Sequence, residues 1–136
     1  MAGNVLVDSG FLVALFRRHD LHHAWAAALA QRHEPPWVTC EAVLSETFFL
    51  LGSRGESDLG ELLSRRSVLP AFDLNTHLDP VLNLMRKYAN VPMSLADACL
   101  VRMTETLSDP LLLTIDSDFR IYRRHNRQVV PCVTPS

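Results

Sequence analysis

The chain has 136 residues, of which 48% are hydrophobic and 21% are charged, and its formal net charge is −2. This composition excludes a disordered chain, and the length is sufficient for one domain that buries a core without disulfides or structural metals. No apolar run approaches the roughly 20 residues that cross a bilayer, and the opening Met-Ala-Gly-Asn lacks the basic segment of a signal sequence. We therefore expect a cytoplasmic protein with a single domain over residues 1–136.

Cysteine spacing and net charge exclude two further classes. Cys40, Cys99 and Cys132 are far apart, lie in apolar stretches and form no CxxC pair, which predicts buried free thiols and not a zinc knuckle. The net charge of −2 gives no indication of nucleic-acid binding by the chain as a whole.

Two unbroken apolar runs predict strands that are buried on both faces of a parallel sheet, and each run ends in a carboxylate. Residues 5–7 lead into Asp8, and residues 111–115 lead into Asp116, with Asp118 two positions later. Ligand sites of open α/β sheets lie beyond the carboxyl ends of the strands, so Asp8, on a predicted central strand, is a candidate site residue. The alternative is that Asp8 caps the helix that follows it.

The remaining pattern predicts strands that alternate with helices in one α/β domain. Further strands are predicted at 37–40, 67–72 and 129–133. Helices are predicted between them, with Asp20, Thr76 and Ser94 as the caps of three of these helices.

Glu46 lies midway along the helix predicted over 41–51, on the apolar stripe formed by Ala42, Val43, Phe49 and Leu50. Burial of a lone carboxylate costs several kcal/mol, so such a residue needs a partner. The alternative is that Glu46 lies at an edge of the stripe that reaches solvent.

Asp97 is the only charged residue between Ser94 and Arg102, in a helix that is apolar on nearly all sides. The Ser-x-x-Asp pattern resembles a capping box, in which Asp97 would bond back to the Ser94 amide. A carboxylate in a buried helix is also a candidate functional group.

Asp8, Glu46, Asp97 and Asp116 come from four separate elements, each near one end of the predicted sheet. If they converge, repulsion is severe, since two unit charges ~4 Å apart cost about 4 kcal/mol at an effective dielectric near 20. No Lys or Arg lies in the four motifs, so raised pKa values or a bound hard cation must offset the repulsion. An all-oxygen ligand set suits Mg²⁺ or Mn²⁺ better than zinc.

The segments VLVDSG, LSETFFLL, MSLADACLV and LLLTIDSDF, in that order, resemble the motifs of PIN-domain nucleases. Within that family the chain is most similar to the short VapC-type toxins of prokaryotic toxin–antitoxin pairs. The resemblance covers nearly the whole chain, although residues 52–88 match only in the order of helices and strands. It implies a three-layer α/β/α sandwich with a central, mostly parallel sheet.

The resemblance also implies an endoribonuclease that depends on Mg²⁺ or Mn²⁺, and often a homodimer inhibited by a small antitoxin protein. Carried over residue by residue, it assigns catalysis and metal binding to Asp8, Glu46, Asp97 and Asp116. Asp118 matches an additional acid of the family that supports the first ion or ligates a second one. Ser9 and Thr114 match small hydroxyl positions that orient water or carboxylates.

Arg120, Arg123, Arg124 and Arg127 directly follow the last acidic motif. They are either RNA-phosphate contacts or a solvated basic segment. The apolar run at 48–51 is a candidate contact of a homodimer.

Three other functions remain open. The first is an RNA-processing PIN nuclease without an antitoxin, and the second is an α/β phosphatase with Asp8 as nucleophile. The phosphatase needs a lysine near the phosphate, and the sole lysine, Lys87, lies on a helix that looks distant. The third is a non-catalytic interaction module whose acids only cap helices.

Overall fold

A central sheet of five parallel strands positions the acidic motifs in the computed structural model, which describes residues 3–135. Met1 and Ala2, part of the opening used in the signal-sequence prediction, and Ser136 lie outside the described residues. The strands of the sheet are short, and a two-stranded ribbon lies apart from them. The strands are β1 (Val5–Val7), β2 (Trp37–Thr39), β3 (Val68–Pro70), β4 (Leu111–Leu113), β5 (Arg123–Arg124), β6 (Gln128–Val129) and β7 (Cys132–Val133).

The sheet has the strand order β3-β2-β1-β4-β7, so β1 is central, as predicted. Leu6 pairs with Val38 on one side and with Leu112 on the other. Helices cover both faces, which confirms the α/β/α sandwich and explains why consecutive strand residues are apolar. The helices are α1 (Ser9–Phe16), α2 (His23–Arg32), α3 (Glu41–Leu51), α4 (Glu61–Ser64), α5 (Leu78–Lys87) and α6 (Leu95–Thr106).

Other features of the core also agree with the sequence. Pro70, which lacks a backbone N–H, lies in the edge strand β3. All three cysteines are free thiols, and Cys40 and Cys99 are buried as predicted. The prediction of burial is wrong for Cys132, which is half-buried in the edge strand β7. None of the helices within residues 3–135 combines the length and the apolar character that a membrane span requires.

Two predicted helix caps are wrong, although the helices themselves exist. Asp20 accepts a hydrogen bond from the His22 amide at 2.8 Å, and α2 begins one residue later. Thr76 donates to Asp73 Oδ2 at 2.6 Å, and α5 begins only at Leu78. Both polar side chains stabilise the turn before the helix, because short side chains bond readily to nearby groups of the chain.

The arginine segment, residues 120–127, forms part of a β-hairpin. A short 3₁₀ turn at Ser117–Arg120 leads into an antiparallel hairpin of β5 and β6. His125 and Asn126 at its tip have φ angles of 50° and 66°, as a type I′ turn requires at both central positions. The predicted strand at 129–133 is divided into β6 and β7, with Pro131 between them.

Candidate active site

Thr114 links the two acids that follow the central strands. Its hydroxyl donates to Asp8 Oδ2 at 2.8 Å, and it accepts a hydrogen bond from the Asp116 amide at 3.0 Å. Thr114 is fully buried just beyond β4, whose neighbour β1 ends next to Asp8. Because parallel strands end at the same edge of the sheet, Asp8 and Asp116 lie together at the carboxyl edge.

Asp8 is 7% exposed and is also the cap of α1, since the Ser9 amide donates to its Oδ1 at 2.7 Å. Burial raises the pKa of Asp8 to about 6, against the lowering effect of the hydrogen bonds from Thr114 and Ser9. The negative charges of Asp97 and Glu46 raise this pKa further. The carboxylates of Asp97 and Glu46 are therefore close enough to Asp8 for their charges to act on it.

Asp97 forms the predicted capping box at the start of α6. Its amide donates to Ser94 Oγ at 3.0 Å, and its Oδ2 accepts from the Ser94 amide at 3.3 Å. Burial raises the pKa of Asp97, and the negative charge of Asp116 acts in the same direction. Capping and proximity to the other acids thus occur in the same residue.

Tyr122 is a site residue that the sequence motifs did not reveal. Its side chain is fully buried, and its hydroxyl donates to Asp97 Oδ2 at 3.0 Å. Burial and the Asp97 carboxylate raise the pKa of Tyr122, so the hydroxyl stays protonated and remains a donor. The only signal in the sequence is its spacing of three residues from Phe119, against whose ring it packs at 5.3 Å.

The prediction that Glu46 lies on a buried face is wrong, because its side chain is exposed. The buried stripe of α3 consists of Val43, Leu44, Thr47 and Leu51, and Phe49 is 84% exposed. Glu46 lies at the edge of this stripe, one step around the helix from Thr47. It still contacts the site, since the Ser9 hydroxyl donates to Glu46 Oε1.

Asp116 accepts a hydrogen bond from the Asp118 amide on its Oδ1 at 2.9 Å, which stabilises the turn after β4. Asp118 is half-buried, and its charge contributes to raising the pKa of Tyr122. Hydrogen bonds through Ser9 and Thr114 therefore connect Asp8, Glu46 and Asp116. Tyr122 bonds to Asp97, and the charges of Asp97 and Asp118 both raise its pKa.

Within residues 3–135, no three His, Cys, Asp or Glu side chains are grouped closely enough to form a ready-made metal site. The donor chemistry nevertheless fits a hard cation. In this part of the chain, Glu46, Asp97 and Asp116 each have one carboxylate oxygen that accepts no hydrogen bond. Neither of the two ion pairs found there involves these acids. Mg²⁺ takes one or two carboxylates and keeps several waters, so an open oxygen cluster suits it.

The phosphatase alternative lacks its lysine. Lys87 Nζ lies 3.5 Å from the Asn126 carbonyl and lines a cleft with Pro80 and Arg102, so it is not a neighbour of Asp8. Asp8 is also buried, with both carboxylate oxygens in hydrogen bonds. This geometry is poor for a nucleophile that must reach a phosphoryl group.

The interaction-module alternative keeps its structural basis, because Asp8, Asp97 and Asp116 each cap a helix or turn. A cleft of about 570 Å³ also lies away from the acids. It is lined by Asn4, Pro36 and Leu111, at the amino edge of the sheet.

The arginine segment serves the fold more than its composition indicates. The Arg123 guanidinium donates to the carbonyls of Arg120, Ile121 and Tyr122, at 2.7–3.1 Å. Arg124 donates to the Thr104 carbonyl. Arg120 and Arg127 are exposed, although the Arg120 guanidinium also contacts Thr134.

The protein is an α/β/α sandwich with a cluster of carboxylates at the carboxyl edge of its parallel sheet. This edge is where open α/β sheets place their ligand sites. The sequence matches the model of the PIN domain family over residues 5–124. Comparison with curated proteins gives no significant match.

A solved structure shares this fold. It is VapC20 of Mycobacterium tuberculosis, described as a sarcin–ricin loop cleaving toxin, with a TM-score of 0.69 and 21% sequence identity. The alignment covers 84% of this chain and 91% of the toxin. The chain belongs to the PIN domain family, which confirms the resemblance found in its four acidic motifs.

Proposed function

We propose that this chain is an endoribonuclease that depends on Mg²⁺ or Mn²⁺ and hydrolyses RNA phosphodiester bonds. The observation that carries the proposal is the set of hydrogen bonds that joins carboxylates at one edge of the sheet. The Thr114 hydroxyl bonds to Asp8 and to the Asp116 amide, and Ser9 bonds to Asp8 through its amide and to Glu46 through its hydroxyl. The negative charge of Asp97 also raises the pKa of Asp8. Membership of the PIN family and the fold of the VapC20 toxin support the same reaction.

In this proposal Asp8, Glu46, Asp97 and Asp116 hold the ion, and Asp118 supports them or holds a second ion. A divalent ion held there would lower the pKa of a bound water molecule and would place positive charge beside the scissile phosphate. Thr114 and Tyr122 fix the orientation of Asp8 and Asp97 through hydrogen bonds of 2.8 and 3.0 Å. Ser9 does the same for Glu46.

The proposal extends to a cytoplasmic toxin of a toxin–antitoxin pair, with a small antitoxin protein and a second copy of the chain as partners. The exposed side chains of Phe48 and Phe49 on α3 are the candidate homodimer contact. Of the four arginines in the segment after β4, Arg120 and Arg127 are the candidates for contact with RNA phosphates, since Arg123 and Arg124 bond to backbone carbonyls.

Cleavage of a structured RNA tests the proposal directly. Chelator-treated protein should be inactive, added Mn²⁺ should restore cleavage, and Asp116→Asn should abolish it. Asp79→Asn is the matched control, because it makes the same chemical change at an exposed position in the first turn of α5. Cleavage that survives Asp116→Asn, or that needs no metal, would refute the proposal.

Two further outcomes identify the alternatives. A covalent phosphoryl adduct trapped on Asp8 would favour the phosphatase. A protein with neither metal response nor turnover would be an interaction module.

A further inference from the structure

A second charged feature lies between the carboxyl ends of α1 and α3. A cleft of about 490 Å³ is lined there by Arg17, Arg18, His19 and Arg54, with Asp58 as its one carboxylate. Positive charge is thus concentrated locally in a chain whose net charge is −2.

Within residues 3–135, one of the three arginines of the cleft has a hydrogen-bond partner. The Arg17 guanidinium donates to the Leu50 carbonyl at the end of α3. The side chains of Arg18, His19 and Arg54 make no hydrogen bond or ion pair within residues 3–135. The helix dipole favours cations near helix carboxyl ends, but this effect is weak at the surface and does not account for three arginines around one cleft.

The cleft and the acidic site lie at opposite ends of α1. Ser9 contacts Glu46 where α1 begins, and Arg17 contacts Leu50 where both helices end. An eight-residue helix is about 12 Å long, so a single RNA strand that crosses the acids can reach the cleft within a few nucleotides.

We infer that this cleft anchors the phosphate backbone of the RNA outside the cleavage centre. The inference rests on the proposed nuclease function and assigns a second contact to the same substrate. Arg18 and Arg54 present guanidinium groups, whose planar fork of donors matches phosphate oxygens. The cleft presents three guanidinium groups against one carboxylate, and this local excess of positive charge favours a polyanion as its occupant.

Phosphate contacts fix position without reading sequence, so the anchor should act on RNAs of any sequence. It also gives binding a defined salt dependence. Each phosphate contact to a single strand adds about 0.7 to the slope of log affinity against log salt concentration.

The test measures the affinity of two labelled single-stranded oligoribonucleotides of different sequence, in EDTA so that no metal-dependent cleavage occurs. Arg18→Gln with Arg54→Gln should weaken binding of both RNAs roughly tenfold at about 0.15 M salt and reduce the slope by about 1.4. Arg18→Lys with Arg54→Lys should retain the slope. The matched control is Arg65→Gln with Arg86→Gln, which removes the same charge from exposed positions outside the cleft.

Unchanged affinity of the cleft variant, or equal losses in the cleft and control variants, would overturn the inference. The binding result does not depend on turnover, so an inactive wild-type protein would refute the nuclease proposal and leave this test valid. If the protein does cleave RNA, the cleft variant should raise KM and leave kcat unchanged.

Discussion

Thr114 donates its hydroxyl proton to Asp8 Oδ2 at 2.8 Å, across the two central strands of the sheet. The Thr114 hydroxyl oxygen in turn accepts a hydrogen bond from the Asp116 amide at 3.0 Å, so one buried hydroxyl serves both acids. A hydroxyl is both a donor and an acceptor, and no apolar residue of the same size provides this pair of bonds.

Thr114→Val should therefore lower the free energy of unfolding by about 1–3 kcal/mol, because it leaves polar groups at a buried position without partners. Urea denaturation measures this change. Thr47→Val is the matched control: Thr47 is fully buried, but its hydroxyl bonds only to the Val43 carbonyl within α3. That carbonyl keeps its helical amide partner, so the loss should be smaller. Equal losses in the two variants would contradict the bridging role of Thr114.

The raised pKa of Asp8 makes a prediction about pH. The pKa is about 6 in the folded protein, against 3.8 for an ordinary Asp, so the unfolded chain ionises first as the pH rises. Ionisation of Asp8 therefore lowers stability progressively between these two values, and the full penalty of about 3 kcal/mol remains above them. Below about pH 3.8 the penalty is absent.

Asp8→Asn removes this ionisation. The difference in unfolding free energy between Asp8→Asn and wild type, measured without metal by urea denaturation, should shift in favour of the variant as the pH rises from about 4 to about 7. A difference that stays constant over this range, or that shifts in favour of wild type, would show that the charge of Asp8 does not destabilise the folded protein.

Two variants of Asp97 separate the contribution of its helix cap to stability from the contribution of its negative charge. Asp97→Asn retains an oxygen that can accept from the Ser94 amide and from Tyr122, and it removes a carboxylate whose pKa is raised by burial. We expect it to stabilise the metal-free protein. Asp97→Ala removes the cap and leaves a buried tyrosine hydroxyl unpaired, which should cost about 1–3 kcal/mol. Thermal denaturation of both variants decides the point, and a marked loss of stability in Asp97→Asn would show that the cap needs the charge.

Tyr122 is expected to position Asp97 for an ion. Tyr122→Phe keeps the ring packing against Phe119 and Tyr88 but removes the bond to Asp97. Loss of such an orienting partner typically weakens metal binding about 10-fold or more, which calorimetric titration with Mn²⁺ would detect. Tyr88→Phe is the control, since the Tyr88 hydroxyl accepts a hydrogen bond from the Arg123 amide and, within residues 3–135, bonds to none of the acids. Equal Mn²⁺ affinity in the two variants would show that Tyr122 does not position Asp97 for the ion.

The fold was predictable because its signals are local. Unbroken apolar runs at β1 and β4 indicate strands covered on both faces, and the carboxylates that follow them mark where the core ends. The helix predicted over 41–51 has those bounds in the structure. The order of the four acidic motifs was sufficient to identify the family.

The features that the sequence mispredicted or did not reveal depend on contacts between distant parts of the chain. The exposure of Glu46 depends on which side of α3 packs against the sheet, and the buried side includes Thr47, a polar residue that does not look like part of an apolar stripe. The Tyr122 contact joins residues 25 positions apart. Arg124 bonds to a carbonyl 20 residues away in α6, so its structural role has no signature in the local sequence.

The uptake of Mn²⁺, followed by the loss of the free-ion signal in electron paramagnetic resonance, tests most directly whether the acids form a metal centre. Wild-type protein should bind the ion saturably, Asp97→Asn and Asp116→Asn should each weaken binding about 10-fold or more, and Asp79→Asn should bind like wild type. No uptake by the wild-type protein, or equal uptake by all four proteins, would contradict the proposed centre.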